Sequence, residues 1–366
     1  VSVAPRFLFV PVSGPSGMGE YARCLTLADA ARARWPDAQI HFLLSEQAPY
    51  ARSTPYGYTL FPRSVTLHDA EGREAIRAFR PDVAVFDNAG RKGQFATAQA
   101  VGAAVVFVSS RFGPRTKAFR FRWMKHLDEH WIPYPEPVGG ALSAFERLKL
   151  RLAGRPRIRF LDVMLAPVAP AVAAAALHRL GLAAGEYVLV VPGGGTSHPN
   201  ARHALAAYES AAARLAAAGI PVVLVGRDAP GEVAEAGLER VRFAGRVPPA
   251  ELSALLASAR LVVTNGGDTL LQSLAFGRPT VAAPIASDQP TRLARCAALG
   301  GVVAAALDGA SLQGAARELL DSPPRLAALA AAARALGLTN GVDAAMDALA
   351  LLVGEARARR EAVPAR

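Results

Sequence analysis

The chain has 366 residues, more than one small core organises, and this length predicts two domains of roughly 150 to 180 residues each. Hydrophobic residues make up 52% and charged residues 19%, which excludes a disordered chain, and no run reaches the about 18 apolar residues that a spanning helix needs. The net charge of +11 falls unevenly: residues 1–165 hold 23 Lys and Arg against 14 Asp and Glu, and the remaining 201 hold 18 against 16.

In chain order, short Val, Ile, Leu and Phe runs alternate with longer Ala, Leu and Arg segments of helical period, the signature of parallel strands joined by crossover helices in an α/β fold. Strands are expected at Phe7–Val12, Gln39–Ser45, Val83–Asp87, Ala104–Ser109 and His130–Pro133, and helices near Glu20–Trp35, Gly72–Phe79 and Gly93–Val101. These form one doubly wound sheet. The first strand enters a glycine loop, Ser13 to Arg23, with Gly17 and Gly19 before a helix start, where glycines admit close backbone approach and free N–H groups face an anion. The loop lacks the G-x-G-x-x-G spacing of a dinucleotide site, and a plain strand-to-helix turn is its structural alternative.

Between Arg111 and Lys125 the chain carries Arg111, Arg115, Lys117, Arg120, Arg122 and Lys125 with four aromatics, Trp123 among them, and no acid. Such a stretch suits an anionic membrane surface, while a solvated basic face and a single-stranded nucleic acid are the competing readings. Nucleic acid is not expected, since it would leave the glycine loops of both halves without a role. A second basic run, Arg147 to Arg159, follows.

Leu165–Ala176 is proline-containing and reads as a linker, so the boundaries expected are 1–175, 176–345 and a terminal helical tail at 346–366 that packs back on the first domain. In the second half, strands are expected at Tyr187–Pro192, Pro221–Val225, Val241–Phe243, Leu261–Thr264, Thr280–Ala283 and Gly301–Ala304. Gly193, Gly194, Gly195, Thr196 and Ser197 follow the first of these, and Asn265, Gly266, Gly267, Asp268 and Thr269 follow the fourth. Both turns fall at carboxyl ends of parallel strands, where open α/β sheets bind ligands, and two helix N-termini there suit one diphosphate. Asp268 alone reads equally as a helix cap. Asp288 and Gln289 offer a carboxylate and an amide to adjacent sugar hydroxyls.

Taken together, these motifs resemble the GT-B-fold enzymes, two Rossmann-like doubly wound domains facing a cleft, near the MurG-like glycosyltransferases and the sugar-nucleotide hydrolase PseG. The carriers are Gly17-Met18-Gly19-Glu20-Tyr21-Ala22-Arg23, Phe243-Ala244-Gly245-Arg246-Val247, Thr264-Asn265-Gly266-Gly267, Leu274-Ala275-Phe276-Gly277-Arg278-Pro279 and Asp288-Gln289. The resemblance implies a nucleotide diphosphate sugar, a UDP-sugar first, as co-substrate without metal or other cofactor. Arg227, Phe243, Gly245, Val247, the two glycine turns, Gln272, Asp288 and Gln289 would hold it. A glycan or lipid-linked acceptor would lie on the first domain, with Glu20 or Asp87 as base; turn-capping is the alternative for Asp87. Two positions depart from the pattern: Glu20 stands where the family has histidine, and Gln272 where it often has a ribose-binding glutamate. Hydrolysis, 2-epimerisation and binding without turnover are the other activities considered. With Cys24 and Cys296 in no metal-ligand spacing and no leader pattern at Val1–Val12, a cytoplasmic protein is expected, with a peripheral membrane contact through the basic stretch.

Overall fold

The computed structural model describes residues 4–15, 18–193, 201–228 and 237–362. They divide into two compact units, 1–164 with 341–366, and 165–340.

The first unit is built on a seven-stranded parallel sheet of order β3-β2-β1-β4-β5-β6-β7, comprising β1 (Arg6–Pro11), β2 (Gln39–Ser45), β3 (Gly57–Phe61), β4 (Val83–Asp87), β5 (Ala104–Val108), β6 (Glu129–Ile132) and β7 (Arg157–Phe160). Its central strands are buried on both faces, as parallel strands covered by helices must be. Phe7, Phe9, Val83, Val85 and Val106 pack on one side, and Leu8, Val10, Ala84, Phe86 and Phe107 on the other. The helices Gly19–Arg34 and Gly341–Glu361 cover the first face. In the latter, Val342, Ala345, Met346, Leu349, Leu352, Val353 and Ala356 recur at helical spacing and are buried against the sheet.

The second unit has a six-stranded parallel sheet of order β10-β9-β8-β11-β12-β13: β8 (Val188–Val191), β9 (Val222–Val225), β10 (Val241–Gly245), β11 (Leu261–Thr264), β12 (Thr280–Ala282) and β13 (Val303–Ala304). The helix Pro170–Leu180 belongs to this unit, with Ala176 and Leu180 in its core. The unit therefore begins at Leu165, eleven residues before the start at 176 that the prolines suggest, because that helix needs the second sheet to bury its apolar side. Asn340 closes the unit by accepting from Leu165 N and donating back to Leu165 O, at 3.2 and 3.0 Å.

Each sheet reverses its winding once, between β1 and β4 in the first unit and between β8 and β11 in the second. The crevice at such a reversal, outside the carboxyl ends of the strands, is where open α/β sheets bind ligands.

Candidate functional site

In the first unit the reversal point brings together the residues after β1 and β4. Glu20 lies in the first turn of the helix Gly19–Arg34, where the helix dipole favours a carboxylate. Its Oε1 accepts from Asn88 Nδ2 at 3.0 Å and from the guanidinium of Arg111, and its side chain is 7% exposed. Asn88 is held in turn: it adopts a left-handed φ of 51°, donates to Ser110 Oγ and accepts from Ser110 N. Oε2 of Glu20 has no hydrogen-bond partner among the described residues, so one oxygen is fixed and the other keeps its acceptor capacity. Burial first, and then the nearby Glu20 charge, push the Tyr50 phenol well above its ordinary range.

Asp87 has a different place. It is fully buried at the end of β4 and accepts from Arg23 Nε at 2.7 Å and Arg23 Nη2 at 2.9 Å. Arg23, one turn beyond Glu20, is equally buried. Asp87, the second candidate base, thus stands in a buried ion pair that anchors the helix carrying Glu20. Cys24 beside it has its thiol pKa raised, by burial and then by the Asp87 charge.

Within the second unit the carboxyl edge gathers Gly193 after β8, Gly245 to Val247 at the end of β10, the Asn265–Asp268 turn after β11 and Ile285 to Gln289 after β12. Asn265 spans the reversal point, donating from Nδ2 to Pro192 O at 2.7 Å and accepting Gly267 N on Oδ1 at 2.6 Å. Gly193 takes φ +99°, and a Cβ there would lie 2.1 Å from Asn265 Nδ2, so both the conformation and the space require glycine. Gln289 accepts from Ile285 N at 2.7 Å, and its Nε2 lies 3.4 Å from Asn265 Oδ1. These two amides, expected to meet a ligand, tie the turns after β8, β11 and β12 into one frame.

Three further candidate residues have the following places in the fold. Asp288, expected on sugar hydroxyls, pairs with Arg292 Nη2 at 2.9 Å, and Arg292, buried, donates to Gly266 O at 2.7 Å. Arg227 is paired with Glu209. Gly267, not Asp268, is the N-cap of the helix Asp268–Ala275, whose first turn includes Asp268 and Thr269. Phe243 and Val247 are partly buried against the core, and β10 is irregular between Phe243 and Gly245, where Gly245 takes φ +66°. Gln272 lies half-buried in the helix after the glycine turn. Gly17, Gly194, Gly195, Thr196 and Ser197 lie outside the described residues; Gly19 opens its helix.

The basic charge of the first unit separates into two groups. Arg155, Arg157 and Arg159 pair with Asp128, Glu129 and Glu355. Arg111 is held by Glu20, and Arg115 by Glu146 and the carbonyls of Gly139, Gly140 and Ala141. Lys117, Arg120, Arg122 and Lys125 have no carboxylate partner among the described residues and are exposed. Trp123, expected at a membrane boundary, is packed edge-on against Phe95 and Phe107. The exposed apolar groups nearby are Phe112 and Phe121, together with Phe145, Leu148 and Leu152 of the helix Ala144–Ala153, none of whose residues is buried.

No known protein family matches the sequence, and no curated protein sequence does. Two doubly wound parallel α/β units define the class, and solved structures place it: the chain has the GT-B fold. It is similar to spinosyn forosaminyltransferase SpnP, with a TM-score of 0.65 at 16% identity over 95% of this chain and 99% of that one. It is also similar to a UDP-glucose:anthocyanidin 3-O-glucosyltransferase solved with UDP, at 0.63 and 12% identity over 98% and 100%. MurG of Acinetobacter baumannii matches at 0.57 and 12% identity over 94% and 98%, so the fold is shared well beyond the MurG type.

Proposed function

We propose that the chain transfers a sugar from a nucleotide diphosphate sugar, a UDP-sugar first, to an acceptor hydroxyl bound by the first unit. The observation that carries this is Glu20, fixed through Oε1 at the sheet's reversal point with Oε2 left to accept a proton. The acceptor oxygen attacks the anomeric carbon, the bond to the diphosphate breaks, and the hydroxyl proton passes to Glu20. The second unit offers the donor backbone amides at the helix start after β11. Amides of this kind stabilise a departing diphosphate without a metal. Likeness of fold alone does not choose the reaction. The transferases named above support a group transfer; the placement of Glu20 is what supports its direction.

The reading extends to a membrane-associated acceptor. Phe145, Leu148 and Leu152 share one side of a short amphipathic helix that also carries Arg147, Lys149 and Arg151. Apolar groups interleaved with cations match an anionic lipid surface, each cation near it contributing about 1 kcal/mol. Among the described residues no helix is long and apolar enough to cross a membrane.

Calorimetry with UDP, GDP and dTDP sugars tests the donor site: one should bind, and binding of none rejects the reading. Donor consumed to free sugar at full rate without an acceptor would assign hydrolysis instead.

A further inference from the structure

The first unit contains a cavity of about 320 Å³ that the transfer mechanism above does not use. Its wall carries five cationic side chains, Arg91, Lys92, Lys117, Arg120 and Arg122, and no carboxylate lines it among the described residues. Trp123 and Phe107, packed edge to face at 5.4 Å, also line it. Arg91 is positioned by donating from Nε to Thr66 O at 2.9 Å. Arg91 and Lys92 are the N-cap and first residue of the nine-residue helix Lys92–Ala100, so the dipole of that helix adds to the side-chain charge. Like charges this close repel one another, and their convergence on one apolar-walled space is relieved by a polyvalent anion bound there.

Asn88 joins this cavity to the candidate base. It lines the cavity, and its Nδ2 is 3.0 Å from Glu20 Oε1. Glu20 thus stands one hydrogen bond away from a residue of the cavity wall. Guanidinium forks match phosphate oxygens bidentately, and a cavity of this size takes more than one phosphoryl group.

We infer that this cavity binds a phosphate or diphosphate group carried by the acceptor, whether that acceptor is a soluble sugar phosphate or a phospholipid-linked one. The term acceptor rests on the transfer reading above; the anion site does not.

Inorganic pyrophosphate titrated calorimetrically into the full chain saturated with UDP tests it. Binding is expected, about tenfold or more weaker in Arg120→Ala/Arg122→Ala, since hydrogen bonds to charged groups are lost. It should be unchanged in Lys125→Ala, a cation of the same stretch outside the cavity. Absence of pyrophosphate binding, or equal weakening in Lys125→Ala, overturns the site. Both variants are at exposed positions, and UDP affinity measured on each reports that the fold is intact. Should UDP fail to bind while pyrophosphate binding still depends on Arg120 and Arg122, the transfer reading fails and the anion site stands. Competition by phosphatidic acid vesicles, absent with phosphatidylcholine alone, assigns the anion to a lipid; pyrophosphate binding indifferent to both assigns it to a soluble acceptor.

Discussion

Arg23 and Asp87 form a buried, two-pronged ion pair between the helix after β1 and the end of β4, with Nε–Oδ2 and Nη2–Oδ1 distances of 2.7 and 2.9 Å. It lies directly beneath Glu20 and Asn88 in sequence, so its geometry sets where both stand. Removing one partner leaves an uncompensated buried charge, which costs about 3–5 kcal/mol. Asp87→Asn and Arg23→Met should each lower the midpoint of chemical denaturation by an amount of this order. The double variant Arg23→Met/Asp87→Leu should recover much of the loss. If the double variant is no more stable than the worse single one, the pair is not acting as a coupled unit.

Glu20→Gln keeps shape and hydrogen-bonding reach but cannot take a proton. Sugar transfer should fall by a factor of about 100 or more, the ordinary contribution of a general base. Donor affinity, measured by calorimetry, should be unchanged, since Glu20 belongs to the other unit. Asn88→Ala should lower turnover with a smaller effect than Glu20→Gln, because Arg111 still holds Oε1. Full activity in Glu20→Gln would move the base elsewhere.

The glycine frame of the second unit gives an independent handle. Asn265→Ala leaves Pro192 O and Gly267 N without their partners, at about 1–3 kcal/mol for each group left buried and unsatisfied. Gly193→Ala meets the same amide from the other side and must also adopt φ +99°. Each should weaken nucleotide-sugar binding about tenfold or more and lower thermal stability. Combining them should cost less than the two losses added, because they break one contact. Strict additivity would show that the turn after β8 does not depend on Asn265.

How much of this was legible in the sequence depends on what each residue's signal reports. The buried central strands were readable, because Phe7 to Pro11 or Val188 to Val191 are apolar on both faces and bounded by turns. β3 and β7 were not: Gly57–Phe61 and Arg157–Phe160 are short edge strands with polar or exposed positions, so no continuous apolar run marks them. Residue types at the site were found more easily than roles. Asp87, Asn265 and Asp288 carry the chemistry of ligand-binding groups, but the partners that occupy them, Arg23, Pro192 O and Arg292, lie 64, 73 and 4 residues away, respectively. Arg292, i+4 from Asp288 on one helix, was the partner spacing alone could have suggested. The cavity wall was half visible: Lys117, Arg120 and Arg122 stand in the basic stretch, whereas Arg91 and Lys92 join them only through the fold.

The helix Ala144–Ala153 makes the membrane proposal testable without touching the site. Phe145→Ser/Leu152→Ser removes two side chains that are 64% and 70% exposed, so folding should be unaffected. Flotation with vesicles containing anionic lipid should drop in this variant, and binding by the unaltered chain should weaken as salt rises through the physiological range. Equal flotation of the two proteins, or equal binding to neutral vesicles, rejects the membrane contact.

His130 provides the pH dependence. It is fully buried on β6, with Nε2 2.7 Å from Ser109 Oγ and Nδ1 without a partner among the described residues. Burial, and then the charge of Arg115, push its pKa from 6.5 down to about 3. The unfolded chain therefore takes up a proton on this ring below its ordinary pKa, while the folded chain resists doing so until far lower pH. The folded state binds fewer protons over that interval, so stability is fully present above about pH 6.5 and declines as the pH falls toward 3. His130→Phe keeps a ring among Phe107 and Phe119 but removes the titration. It leaves Ser109 Oγ without this partner, so the variant should be less stable near neutrality, yet lose less stability between about pH 7 and pH 5 than the unaltered chain. Denaturant midpoints at the two pH values measure both quantities in one experiment, and an unchanged difference between them would show that His130 is protonated in the folded protein.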